Sequence, residues 1–163
     1  MTYVTQMASL DSYEKGRVEV IDDDPRNYAF SNIFEVASGA RPFEQIAVAK
    51  NFEYVLEVVR VEGTSGWRAA AHDQSALVLD GQVEFTLRTL RDGHRLPASG
   101  SAGLPEDDAQ TPVGRVLARR GHLTLLPVGR AYRFASQAPA VLLIQTVAGP
   151  DTQFRWTEIC QTA

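Results

Sequence analysis

The chain has 163 residues, 44% of them hydrophobic and 22% charged, with a formal net charge of −4. That composition suits one globular domain with a core that needs no staples. The acidic balance argues against nucleic acid and against anionic membrane as partners, since both select basic surfaces.

No apolar run approaches the roughly 18 residues a membrane helix needs. Met1 to Leu10 lacks a basic stretch followed by an apolar one, so no secretory signal is expected. The single cysteine, Cys160, excludes an internal disulfide and has no recognisable catalytic companion, so it is read as inert. A cytoplasmic location is the expectation.

In chain order, Thr2 to Tyr13 is an apolar stretch with no obvious strand partner, read within an N-terminal arm over 1–15. The arm reaches a partner or closes this chain's own barrel. Period-2 patterns predict strands at Arg17–Ile21, stopped by Asp22-Asp23-Asp24-Pro25, and at Tyr28–Val36. Ile46–Val61 is a long strand pattern with a bend at Lys50-Asn51-Phe52. Further strands follow at Trp67–His72, Ser75–Leu79, Val83–Leu90, Val113–Leu117, His122–Leu126, Tyr132–Ala135 and Val141–Val147. Residues 91–112, rich in Gly and Pro, are predicted as a long loop insertion. Asp151–Ile159 is read as a short C-terminal helix or an irregular tail. About ten short strands with tight turns point to an all-β fold, a barrel or double-sheet jelly roll, in a single domain over 1–163.

Two stretches resemble the paired motifs of the cupin superfamily, whose fold is a double-stranded β-helix (jelly-roll) barrel. The first runs from Gly66-Trp67 through His72-Asp73-Gln74 to Leu77-Val78-Leu79-Asp80-Gly81. The second has Gly121, Pro127 and Gly129 at the family's spacing. Cupin metal sites use histidines and a carboxylate, ligands suited to divalent iron or manganese. Counting back from Gly81 puts Gln74 at the carboxylate position and Arg68, Ala69 or Ala70 at the histidine positions. Counting on from Gly129 puts Tyr132 at the last histidine. All four ligands are replaced, so no metal is expected in this chain. His72 remains nearby; His94 lies in the long excursion, and His122 is far from the ligand position.

The candidate pocket residues are therefore His72, Gln74, Tyr132 and Trp67. His72 with Asp73 is either a base with its orienting acid or a satisfied polar pair at a barrel mouth. Gln74 and Tyr132 either bind a small ligand or fill the emptied cavity and bond each other. Arg119-Arg120 either grips an anion or pairs with acids. Trp67 and Trp156 are interface anchors or core.

Several stretches, among them Tyr3–Leu10, Val20–Arg26, Phe34–Ser38, Lys50–Val55, Glu62–Trp67 and Arg119–His122, resemble the small subunit of the two-component hydroquinone 1,2-dioxygenases, ring-cleaving enzymes of 4-nitrophenol breakdown. The resemblance implies a degenerate cupin with no catalytic residue of its own. It would assemble as a hetero-oligomer, α2β2 being one arrangement open to it. The partner would be a large cupin subunit holding the catalytic Fe(II). The alternatives are a stand-alone metal-independent lyase or isomerase, with His72 and Tyr132 as acid and base, or a non-catalytic binding protein, each for an aromatic compound.

Overall fold

The computed structural model describes residues 8–13 and 32–155. The predicted strand at Arg17–Ile21, its acidic turn, most of the arm, Trp156 and Cys160 lie outside those residues.

The first element corrects the sequence reading. Ile33–Gly39 forms a helix, α1, where a strand over Tyr28–Val36 is predicted. Asn32 caps it, its side-chain oxygen accepting from the Phe34 and Glu35 amides at 3.1 and 3.4 Å. Ile33, Val36, Ala37 and Ala40 fall on one face at the helical spacing and pack on the sheet.

The strands follow as β1 Gln45–Asn51, β2 Tyr54–Thr64, β3 Trp67–Ala70, β4 Gln74–Asp80, β5 Gln82–Leu90, β6 Ser101–Leu104, β7 Ala109–Arg119, β8 Leu123–Leu126, β9 Arg130–Val147 and β10 Thr152–Gln153. The bend expected near Lys50-Asn51-Phe52 separates β1 from β2. The two strands predicted at 132–135 and 141–147 are halves of the single long β9, with different neighbours: 130–135 pair with β5, and 141–145 pair with β4. On its other flank β9 pairs with β2 and, at Tyr132, with β3. Shared by both halves of the sheet, β9 makes the sheet curl into a jelly-roll barrel.

The predicted insertion 91–112 is corrected in its second half. Ser101–Leu104 pairs with β3, a 3₁₀ turn follows at Glu106–Asp108, and β7 already starts at Ala109. Gly and Pro punctuation hid a strand that carries Gly103 and only one large apolar side chain, Leu104. Gly100 makes the docking possible. It has φ +61°, and a Cβ there would sit 2.4 Å from the Gly149 Cα. The stretch read from Asp151 as a short helix or an irregular tail begins as neither, because Thr152–Gln153 extends the sheet parallel to β1; its residues from 156 on lie outside the described ones.

Inward positions fill the barrel: Val59, Val61, Ala76, Val78, Phe85, Leu126, Phe134, Leu142 and Ile144 are buried together. Outward positions of β1, β2 and β9 are covered by α1, with Leu10 of the N-terminal segment packed alongside and its amide bonded to Asp80. Both faces of β2 are thus buried, which is why its sequence reads as a near-continuous apolar run.

Candidate functional site

Period-2 geometry aims alternate residues of each strand into the barrel. On β9 these are Tyr132 and Phe134, and, past the middle of the strand, Leu142, Ile144 and Thr146. On β4 they are Gln74, Ala76 and Val78. Tyr132 and Gln74 therefore face each other. The Tyr132 hydroxyl donates to Gln74 Oε1 at 2.7 Å. Gln74 Nε2 donates to Thr146 Oγ1 at 2.7 Å, and Thr146 Oγ1 lies 3.1 Å from His72 Nε2. The Val147 amide donates to the same imidazole nitrogen at 3.1 Å. His72 is thus held as an acceptor at Nε2, and burial lowers its pKa, with Asp73 opposing the shift in part.

Gln74 and Tyr132 are buried and bond each other, as one of the two sequence readings has it. Burial pushes the Tyr132 hydroxyl up to about 12, so it stays protonated and donates. Asp73 does not orient His72; its carboxylate accepts from the Val128 amide at 2.8 Å. Trp67 is not brought to this group. It faces the other side of the sheet, buried against Leu90, Leu104, Ala109 and Ala131. Its indole N–H donates to Glu106, and its ring is sandwiched between the Arg88 and Arg133 guanidinium groups at 5.0 and 4.6 Å.

A second polar group in the barrel was not singled out from the sequence. Glu57 is 1% exposed, and its carboxylate accepts from Gln45 Nε2 at 2.8 Å and Thr152 Oγ1 at 2.6 Å. Gln45 also donates to Ser101 Oγ at 3.2 Å. Burial raises the Glu57 pKa against these hydrogen bonds and the nearby Arg68 charge. Parity would have found it, since Glu57 shares the inward face of β2 with Val55 and Val59. Thr146 follows from the same count on β9. A cleft of about 360 Å³ opens beside this group, lined by Arg41, Phe43, Glu44, Gln45, Arg68 and Asp151. Its arginines are engaged by acids: Arg68 with Asp151 at 2.6 Å and Arg41 with Glu44 at 2.6 Å.

The residues at the cupin ligand positions do not fit a divalent metal. Arg68 is a cation, and Ala69 and Ala70 offer no donor atom. Tyr132 and Gln74 bond each other, Gln74 spends its amide on Thr146, and His72 Nε2 accepts from the Val147 backbone. Among the described residues, no three His, Cys, Asp or Glu side chains converge as a metal would require. The other two histidines are engaged far from the barrel interior: His94 with Asp108 at 3.0 Å and His122 with the Arg119 backbone. Arg119 and Arg120 bond Gln82 and Asp80 of this chain.

No family model matches the chain, and no curated protein does. Solved structures do. The chain is similar to one in hydroquinone 1,2-dioxygenase from Sphingomonas sp. TTNP3 with 4-hydroxybenzoate bound. Identity is 50% over 99% of this chain and 99% of that chain, with a TM-score of 0.85. A chain in hydroquinone 1,2-dioxygenase PnpCD in complex with Cd2+ and 4-hydroxybenzonitrile is 45% identical over 98% of both chains, with a TM-score of 0.87. PnpCD in complex with Fe3+ contains a different, longer chain. This one matches only 38% of it, at 11% identity and a TM-score of 0.60, a likeness of fold.

Proposed function

The chain belongs to the hydroquinone 1,2-dioxygenase family, and on that premise we propose that it is the small, non-catalytic subunit, paired with a longer cupin chain that carries the iron. The observation that supports this is the pair of matches within one enzyme name. This chain matches a short chain end to end, and it also shares a fold with part of a longer chain. The interior of this barrel is consistent with that division of labour. Where a metalloenzyme would place ligands, Tyr132, Gln74, Thr146 and His72 form a closed chain of hydrogen bonds. A group whose donors and acceptors are already matched holds the barrel together and leaves nothing to bind a cation.

In this reading iron in the longer chain supplies the oxygen chemistry, and this chain's residues take no step in ring opening. The two-chain enzyme's substrate in this reading is hydroquinone, in a 4-nitrophenol-degrading sequence, and the enzyme's place is the cytoplasm. No helix among the described residues is long and apolar enough to cross a membrane.

Co-expression with the longer chain tests the proposal. The two should co-elute on size exclusion, with iron retained and hydroquinone and O₂ consumed together. The isolated chain should hold no stoichiometric iron and consume neither. Ring cleavage by this chain unaided, or one tightly held metal per chain that His72→Ala abolishes, would overturn it.

A further inference from the structure

The last described stretch of the chain crosses the end of the barrel where Glu57 lies, and it is held there almost without apolar burial. Among the described residues, none of 149–155 belongs to a hydrophobic cluster, and Phe154 is 45% exposed. The ties are polar. Asp151 accepts from Arg68 Nη1 at 2.6 Å, the Thr152 hydroxyl donates to Glu57 Oε1 at 2.6 Å, and Arg155 reaches Glu44 at 3.5 Å. Thr152 and Gln153 pair with Gln45 and Ile46 of β1, and the Lys50 ammonium sits 5.6 Å from the centre of the Phe154 ring. A segment with so few apolar contacts opens at a smaller free energy than the core beside it. Its near end is anchored: the Ala148 amide donates to the Glu53 carbonyl, and Gly149 lies backbone to backbone against Gly100. Opening beyond that anchor leaves β9 in place.

The group beneath gives the opening a trigger. Glu57 is 1% exposed. The charged and titratable groups that act on it are Arg68 on β3, Asp151 ahead of β10 and Tyr132 on β9; β1 and β10 offer it the neutral Gln45 and Thr152, and β6 offers Ser101 to Gln45. At the rim outside, Glu44 holds Arg41 and Arg155. Arg68 is already committed to Asp151. Two carboxylates therefore share one cation, and an ionised Glu57 leaves the sealed end with a surplus negative charge. A buried charge without its own partner is costly, and lifting the cover lets water relieve it.

We propose that residues 150–155 are a pH-sensitive latch, closed over a neutral Glu57 and released from the barrel end as that carboxylate ionises, so that the cleft of about 360 Å³ opens onto Glu57 and Arg68. The latch is a property of this chain and does not depend on the two-chain reading. Closure raises Glu57 above its ordinary 4.5, so the latch is firmest below 4.5 and weakens as the pH rises through the folded value.

Amide exchange of the full chain, corrected for the intrinsic effect of pH, tests this. Residues 150–155 should exchange at least tenfold faster than 141–147 of β9. Low urea should accelerate them far less, because opening the latch exposes little surface. Their protection should fall at least fivefold as the pH rises from 4.5 through the folded value of Glu57. Glu57→Gln keeps an acceptor for Thr152 and removes the charge, so it should abolish that fall. Asp151→Asn provides a second test: it should lower the protection of 150–155 at least fivefold at pH 4.5 and, by freeing Arg68 to neutralise Glu57, leave less than a twofold dependence on pH. Exchange of 150–155 at the rate and urea dependence of 141–147 would overturn the latch, since the stretch would then open only with the barrel. So would protection independent of pH in the unaltered chain, a pH dependence that Glu57→Gln retains, or protection that Asp151→Asn leaves unchanged.

Discussion

Tyr132→Phe is the sharpest probe of the barrel interior. The substitution removes one oxygen and keeps the ring against Phe134, 5.4 Å away between centroids. What it leaves behind is the cost. Gln74 Oε1 accepts from that hydroxyl at 2.7 Å, and Gln74 is 1% exposed, so the orphaned oxygen has no water to turn to. An unsatisfied buried acceptor costs about 1–3 kcal/mol. Taking the middle of that range, the melting temperature should fall by roughly 4–8 °C for a chain of this size. Gln74→Leu should cost a comparable amount, because it strips Tyr132 of its acceptor and Thr146 of its donor. Combining the two removes both ends of the bond, so the double variant should be more stable than the sum of the singles predicts, by about 1 kcal/mol or more. Urea unfolding of the isolated chain, with all four proteins at one pH near neutrality, measures the cycle. A Tyr132→Phe cost below about 0.5 kcal/mol, or additive singles, would refute the view that this hydrogen-bonded group replaces a metal as the barrel's internal tie.

The His72 imidazole titrates lower in the fold than its ordinary 6.5 because burial disfavours the cation. Below 6.5 the unfolded chain binds the extra proton first, so stability should be lost as the pH falls from 6.5 through the folded value; His72→Gln should flatten that part of the unfolding profile. Glu57 has the opposite sign. Burial raises it above 4.5, so its contribution is fullest below 4.5 and is lost as the pH rises through the folded value; Glu57→Gln should remove that slope in the same titration. Gly100→Ala forces a Cβ against the Gly149 backbone at a positive φ. It should destabilise by about 1–3 kcal/mol, read by urea unfolding, while the equally left-handed but unobstructed Gly93→Ala costs less.

The strands that pack against one another with strict alternation were legible from the chain: β4, β5 and the two halves of β9 all carry period-2 patterns, Gly81 marks the β4–β5 turn, and Gly121, Pro127 and Gly129 mark the turns on either side of β8. Gln74 and Tyr132 were found because motif spacing gives their positions in the barrel without any coordinates. Trp67 shows the limit of that method. It lies next to Arg68, which faces Tyr132 across the β3–β9 pairing, but one residue along a strand reverses the face, and Trp67 ends outside the barrel. The helix at Ile33–Gly39 was missed because Ile, Phe and Val favour strands locally, and only the apolar face of β1, β2 and β9 beneath them makes a helix the better way to bury Val36 and Ala37. The strand at Ser101–Leu104 exists because Gly100 and Gly149 can touch back to back, a contact between residues far apart in the chain. The bonds from Glu57 to Gln45 and Thr152 are equally non-local. A single sequence determines which side chains can point inward on each strand. Which inward groups then meet depends on how β9 bends and on the register of its neighbours, and both are set by close packing across the whole barrel.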